Sequence, residues 1–149
     1  MDIFTIQLLA RFDLMAKYLY LKNKNYNTNF YKELYHKHII TFNNCWEYPG
    51  IKTCIEDFFS EYEKLIYSIE KNGYDGNFPI PIGNNNVIIN GAHRLITSHY
   101  FKKTPIFIRK NEQGNMNYNS KFFLHRQPNP PLSRIYTDTM ALESIRLIK

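Results

Sequence analysis

The run Val87-Ile-Ile-Asn-Gly-Ala-His-Arg-Leu leads an apolar segment into one glycine and then into a histidine and an arginine. A strand that passes through glycine into a helix aims unpaired backbone N–H groups, and the positive end of the helix dipole, at one point. Such a point suits an anion, phosphate above all. Gly91 admits a positive φ or a close backbone approach. The N–H groups of Ala92, His93 and Arg94 fall in the first helical turn, His93 adds a donor, and Arg94 offers a bidentate clamp. Gly91, Ala92, His93 and Arg94 are therefore the candidate phosphate-holding residues. The plainer account is a turn at Gly91, a helix cap at His93, and an ion pair between Arg94 and Glu56 or Asp57.

The surrounding pattern says which elements must position that turn. Residues Phe4 to Lys22 carry apolar side chains at helical spacing (Ile6, Leu9, Leu14, Tyr18, Leu21), and the Asn-rich run from Asn23 to Asn29 breaks it. A second helix is expected from Phe30 to about Phe42, followed by a loop from Asn43-Asn44 through Pro49-Gly50. A third fits Thr53 to Lys71, with Phe58, Tyr62, Leu65, Ile66 and Ile69 on one face and Asn72-Gly73 as its stop. Phe78-Pro-Ile-Pro-Ile reads as an edge strand, Gly83-Asn-Asn-Asn as a turn and Val87 to Asn90 as its hairpin partner. A helix from Ala92 to about Phe101, a strand Pro105 to Arg109, a short strand or turn at Phe122-Phe-Leu and a last helix from Ser133 to Ile148 complete the chain. The class is α+β. One domain, residues 1–149, is expected, with 1–50 as a helical N-terminal extension, 53–110 as the core and 111–149 as a C-terminal loop and helix.

The chain has 149 residues and a formal net charge of +6, which favours anionic ligands over cationic ones. No run of five like charges occurs, which argues against a dedicated nucleic-acid patch. Cys45 and Cys54 have no His or Cys at zinc-finger spacing, and two reduced, partly buried thiols are expected. No signal peptide and no apolar run of membrane-spanning length is visible, so a cytoplasmic protein with no membrane span is expected.

The order Leu65-Ile-Tyr-Ser-Ile-Glu-Lys-Asn-Gly73, Pro79-Ile-Pro-Ile, Val87-Ile-Ile-Asn-Gly-Ala-His-Arg-Leu and Thr104-Pro-Ile-Phe-Ile resembles the ParB/sulfiredoxin superfamily over about Glu61 to Arg109. The resemblance implies a small mixed sheet surrounded by helices, here with an added N-terminal helical segment. It also implies a choice among activities. Sulfiredoxins carry a catalytic cysteine where this chain has Ala92, so sulfinic-acid reduction is not expected. Partition-type ParB proteins carry an acidic pattern after the glycine and a helix-turn-helix domain beyond. This chain has Ala92-His93 there and only forty residues after Arg109. The remaining branch includes small kinases of free serine that use ATP or ADP, with Mg²⁺, a Gly-x-His-Arg phosphate cradle and an upstream glutamate as base.

By order along the chain Glu47 matches that base, and the resemblance implies catalytic roles for Glu47 and His93. His38 and Asp57 are candidates for substrate binding, although His38 on a helix face and Asp57 in a first helical turn also have ordinary structural reasons to be there. Arg126 and His125 could reach a phosphate, whereas His99, Thr97 and Ser98 are poor candidates. The implied partners are a nucleotide and a small hydroxyl-bearing metabolite, an amino acid or a sugar derivative. Two alternatives stand beside this. One is a ParB-like nucleic-acid binder or nuclease, using Lys102-Lys103 and Arg109-Lys110 among the tyrosines. The other is a non-catalytic module whose N-terminal helices, similar to segments of bacterial surface-polysaccharide-synthesis proteins, form a homodimer face or dock onto a larger enzyme.

Overall fold

The structure, a computed structural model, describes residues 1–26 and 29–149. Its elements are α1 (Ile3–Ala10), α2 (Leu14–Asn23), α3 (Asn29–Asn43), α4 (Ile55–Asn72), β1 (Ile80–Ile82), α5 (Ala92–Tyr100), β2 (Phe107–Arg109), α6 (Ser120–Leu124) and α7 (Arg134–Ile148). The chain is thus a helix-rich α+β protein with a small parallel sheet. Of the break expected over Asn23 to Asn29, Asn27 and Thr28 lie outside the described residues.

Helix ends follow local chemistry. Asp2 caps α1 by accepting the Thr5 N–H at 3.0 Å, and Asn119 caps α6 through the Phe122 N–H at 3.0 Å. Cys54 and Asp57 form a reciprocal capping box on α4, which stops at Gly73 with φ 78°. Arg126 and Asn129 donate to the last carbonyls of α3, at Thr41 and Phe42, so Arg126 serves as a C-terminal cap rather than a phosphate ligand.

Three expectations need correction. The single helix from Phe4 to Lys22 is two, because the chain turns at Arg11–Asp13, where the Phe12 N–H donates to Tyr118 O at 2.8 Å. Phe122-Phe-Leu is part of the short helix α6. The hairpin is vestigial. β1 pairs in parallel with β2, Ile80 opposite Phe107 and Ile82 opposite Arg109, while the Val87–Asn90 segment contributes one antiparallel bridge, Ile88 to Ile82. The outer edge of that segment is satisfied by side chains instead of a strand. Gln7 Nε2 donates to Asn86 O at 2.6 Å, Gln7 Oε1 accepts the Ile88 N–H at 2.8 Å, and Arg11 Nη1 donates to Ile88 O at 3.4 Å.

The first fifty residues are no peripheral addition. Helix α2 packs against α3, α5 and α7, and one core cluster joins Leu14, Met15 and Leu19 to Ile80, Ile88, Leu95, Ile96, Phe123 and Met140. A second joins Tyr20, Tyr35 and Ile39 to Phe58, Tyr62 and Ile66 on α4. Cys45 is half-buried and Cys54 exposed, and both thiols are free. Among the described residues no helix is long and apolar enough to cross a membrane.

Candidate functional site

The Gly91 turn sits at the junction of these two cores. Gly91 adopts φ 87°, the left-handed region that a side chain disfavours. A Cβ there would also lie 2.9 Å from Arg94 Nη2 and 3.3 Å from Ile80 Cγ1. Glycine therefore lets the Arg94 guanidinium fold back over the turn, where Nη1 is tethered to Phe78 O at 2.9 Å. The ion pair with Glu56 or Asp57 does not form; Asp57 Oδ2 instead accepts the N–H groups of Thr53 and Cys54 at 3.0 and 3.2 Å. Asn90 Oδ1 takes the Gly91 N–H at 2.7 Å, and the first α5 amide bonded to the backbone is that of Leu95, to Gly91 O at 2.9 Å. No side chain among the described residues caps α5, which leaves the amides of Ala92, His93 and Arg94 as the donors of this turn.

His93 is half-buried. Its Nε2 lies 2.8 Å from the Tyr35 hydroxyl, and its ring stands edge-on to Tyr62 at 4.6 Å. Burial, reinforced by the charges of Lys17 and Lys52, holds its imidazole well below the usual histidine range, so it is neutral at pH 7. What it offers is a neutral ring N–H.

Behind Tyr35 lies an ionic chain that the apolar periodicity of the N-terminal helices concealed. Arg11 grips Asp13 through two nitrogens at 2.8 and 2.9 Å, Lys17 Nζ reaches the same carboxylate at 2.8 Å, and Lys17 also lies 3.2 Å from His38 Nε2. His38 Nδ1 faces the Tyr35 carbonyl, an acceptor only, so Nδ1 carries the proton and Nε2 accepts from Lys17. Burial would raise the Asp13 carboxyl, but Arg11 and Lys17 outweigh it and hold it far below the usual carboxylate range. Burial pushes His38 well below its usual range and lowers Lys17 as well. His38 is fully buried with both nitrogens engaged, so it positions Lys17 and does not reach a substrate. The signal for this chain was in the sequence: Arg11, Asp13 and Lys17 interrupt a run that is otherwise apolar from Leu8 to Leu21.

Glu47 and Lys52 close the loop after α3 by pairing at 2.8 Å and by bridging through their backbones. Glu47 is close enough for its charge to act on Lys17 and Tyr35, and Lys52 for its charge to act on His93. His38 and His93, distant in sequence, both bond to Tyr35, whereas the contacts of Glu47 are with Lys52 and Asp57 stays with its helix cap. His99 stacks on Phe4 at 3.5 Å, and the hydroxyls of Thr97 and Ser98 return to helix carbonyls. Two cavities of about 270 and 330 Å³ lie elsewhere, one beside Tyr20 and Lys24, the other beside Lys37 and Tyr136; neither is lined by Glu47 or the Gly91 turn. Among the described residues no group of three or more His, Cys, Asp or Glu could hold a metal ion by itself. Compared with models of known families, with curated proteins and with solved structures, the chain matches none.

Proposed function

We propose that this protein is a phosphotransferase of the ParB/sulfiredoxin type, moving a phosphoryl group from ATP or ADP to the hydroxyl of a small metabolite. The observation that carries the reading is the uncapped α5 N-terminus: three amides, the His93 ring and the tethered Arg94 fork meet at a glycine in the left-handed region. Phosphoryl transfer asks a protein chiefly for positioning and for neutralisation of charge, and this turn supplies both. The amides of Ala92, His93 and Arg94 would hold phosphate oxygens, with the free nitrogens of Arg94 as the counter-charge. Mg²⁺ brought by a nucleotide would be held chiefly by the phosphates and water, so it calls for no dedicated metal cluster in the protein. Freed from Lys52, Glu47 would accept the proton of the attacking hydroxyl.

A nucleotide-binding screen tests the cradle, and phosphorus NMR with a panel of amino-acid and sugar alcohols tests transfer. Wild type binds nucleotide, His93→Ala binds more weakly, and Glu47→Gln keeps binding while transfer falls by about two to four orders of magnitude. Equal nucleotide affinity in wild type and His93→Ala removes the cradle. Metal-dependent degradation of nucleic acid that Glu47→Gln abolishes would replace the kinase by a nuclease.

A further inference from the structure

We propose that Tyr35 is the positioning residue of this site: it locks His93 in the form that carries its proton on Nδ1 and turns that N–H toward an incoming anion. The inference rests on reading the Gly91 turn as an anion cradle, and it adds which ring atom meets the ligand. Tyr35 is fully buried, and among the described residues the one hydrogen bond of its hydroxyl is with His93 Nε2, at 2.8 Å. A phenol has one proton to place. If Nε2 carried hydrogen and donated to the phenol oxygen, the phenol proton would point into a closed core with no acceptor. The satisfied arrangement has the hydroxyl donating and Nε2 accepting, which puts the imidazole proton on Nδ1. Burial favours the neutral form of both groups, as this requires.

Among the described residues Nδ1 has no partner and is not one of the buried unpartnered atoms, which makes it the outward nitrogen of a half-buried ring. His93 is the second residue of α5 and shares its first turn with the free amides. The ring is held on its other side by the edge-on contact with Tyr62. His93 is thereby a fixed neutral donor. Such a donor pairs with any acceptor, and beside the free amides and the Arg94 guanidinium the strongest is an ionised phosphate oxygen of a di- or triphosphate. Proton abstraction from the acceptor is left to Glu47.

The tautomer is read directly by long-range proton–nitrogen correlation NMR on nitrogen-15-labelled protein at neutral pH. Five histidines are present, and His93 is assigned by the signals missing from His93→Gln. Wild type shows His93 protonated at Nδ1 and bare at Nε2. Tyr35→Phe keeps the ring that packs among Tyr20, Phe59 and Tyr62 but loses the tautomer preference. Its affinity for inorganic pyrophosphate falls by about tenfold, the scale of one hydrogen bond lost. A wild-type spectrum with the proton on Nε2 overturns the inference without any variant. So does a Tyr35→Phe protein that keeps the wild-type tautomer or binds pyrophosphate equally well. An Nδ1–H wild type that binds neither pyrophosphate nor nucleotide leaves the lock standing and removes the phosphotransferase reading.

Discussion

At the residue scale, Asp13 accepts from Arg11 and Lys17, and His38 separates Lys17 from the Tyr35 backbone, with all four side chains buried. Removing one member of such a buried set typically costs about 3–5 kcal/mol, because the rest is left charged and unpaired. Acid is a milder probe of the same set. His38 and His93 are both held below their unfolded values, mainly by burial. A histidine whose folded pKa is depressed stabilises the fold above its unfolded value of about 6.5, and that contribution is lost as pH falls toward the folded value. Urea midpoints are therefore expected to fall between pH 7.5 and 5.5, by at most about 1.4 kcal/mol per pH unit for each histidine. Asp13 adds nothing in that window, because its own loss begins only below the unfolded carboxylate value near pH 4. His38→Gln should flatten the profile; a midpoint independent of pH would show that neither ring is held neutral. Sequence alone marked the turn, together with Glu47, His38 and Asp57, but not the ionic chain. Arg11, Asp13 and Lys17 escaped because a charge on an amphipathic helix ordinarily marks the solvated face, and only the packing of α2 among three other helices reverses that sign.

At the scale of elements, the segment before Gly91 is a strand by composition whose partner is mostly not a strand. Its inner side bonds to β1 and the turn after it, through the Ile89 N–H to Pro81 O at 2.8 Å and the Gly83 N–H to Val87 O at 2.9 Å. Its outer side is held by one glutamine amide that supplies both a donor and an acceptor, with Arg11 Nη1 on the Ile88 carbonyl. Gln7→Ala would leave the Ile88 N–H and the Asn86 carbonyl of a buried edge unpaired, at a cost of about 1–3 kcal/mol each unless water enters. The measurement is amide hydrogen exchange: the Ile88 amide should exchange faster by one or more orders of magnitude, with α7 amides slowed or sped only by the global change. Uniform acceleration across the chain would mean that Gln7 contributes stability alone and does not hold the turn. This division also explains what could be read in advance. Helices α3, α4, α5 and α7 follow periodicity and caps that are local, so their bounds shift by only a residue or two from expectation. The break between α1 and α2 and the fate of Val87–Asn90 depend on Tyr118 and Gln7, more than seventy residues from the segments they bond, and no window of sequence contains both partners.

At the scale of the whole molecule, the resemblance covers Glu61 to Arg109, yet those residues hold too little core to stand alone. Five large side chains from the first fifty residues, Leu8, Leu14, Met15, Leu19 and Leu34, lie in the same cluster as Ile80, Ile88, Leu95 and Phe123. Each fully buried side chain of this kind stabilises by about 1.5–3 kcal/mol, so together they contribute on the order of 10 kcal/mol, comparable to the entire stability of an ordinary domain. The same segment also carries Gln7 and Arg11, which bond to Ile88 just before Gly91, and Tyr35, which bonds to His93 just after it, so core and site depend on it jointly. A fragment of residues 53–149, which the sequence pattern alone would mark as core plus tail, is therefore expected to show no cooperative thermal transition by circular dichroism and no pyrophosphate binding. Adding residues 1–52 as a separate chain should restore both, because the surfaces that meet are apolar and extensive. A fragment that melts cooperatively alone would make the N-terminal helices a true appendage. It would place the Gly91 turn under the control of the sheet and α4, and it would leave the ionic chain behind Tyr35 as scaffolding with no part in the proposed site.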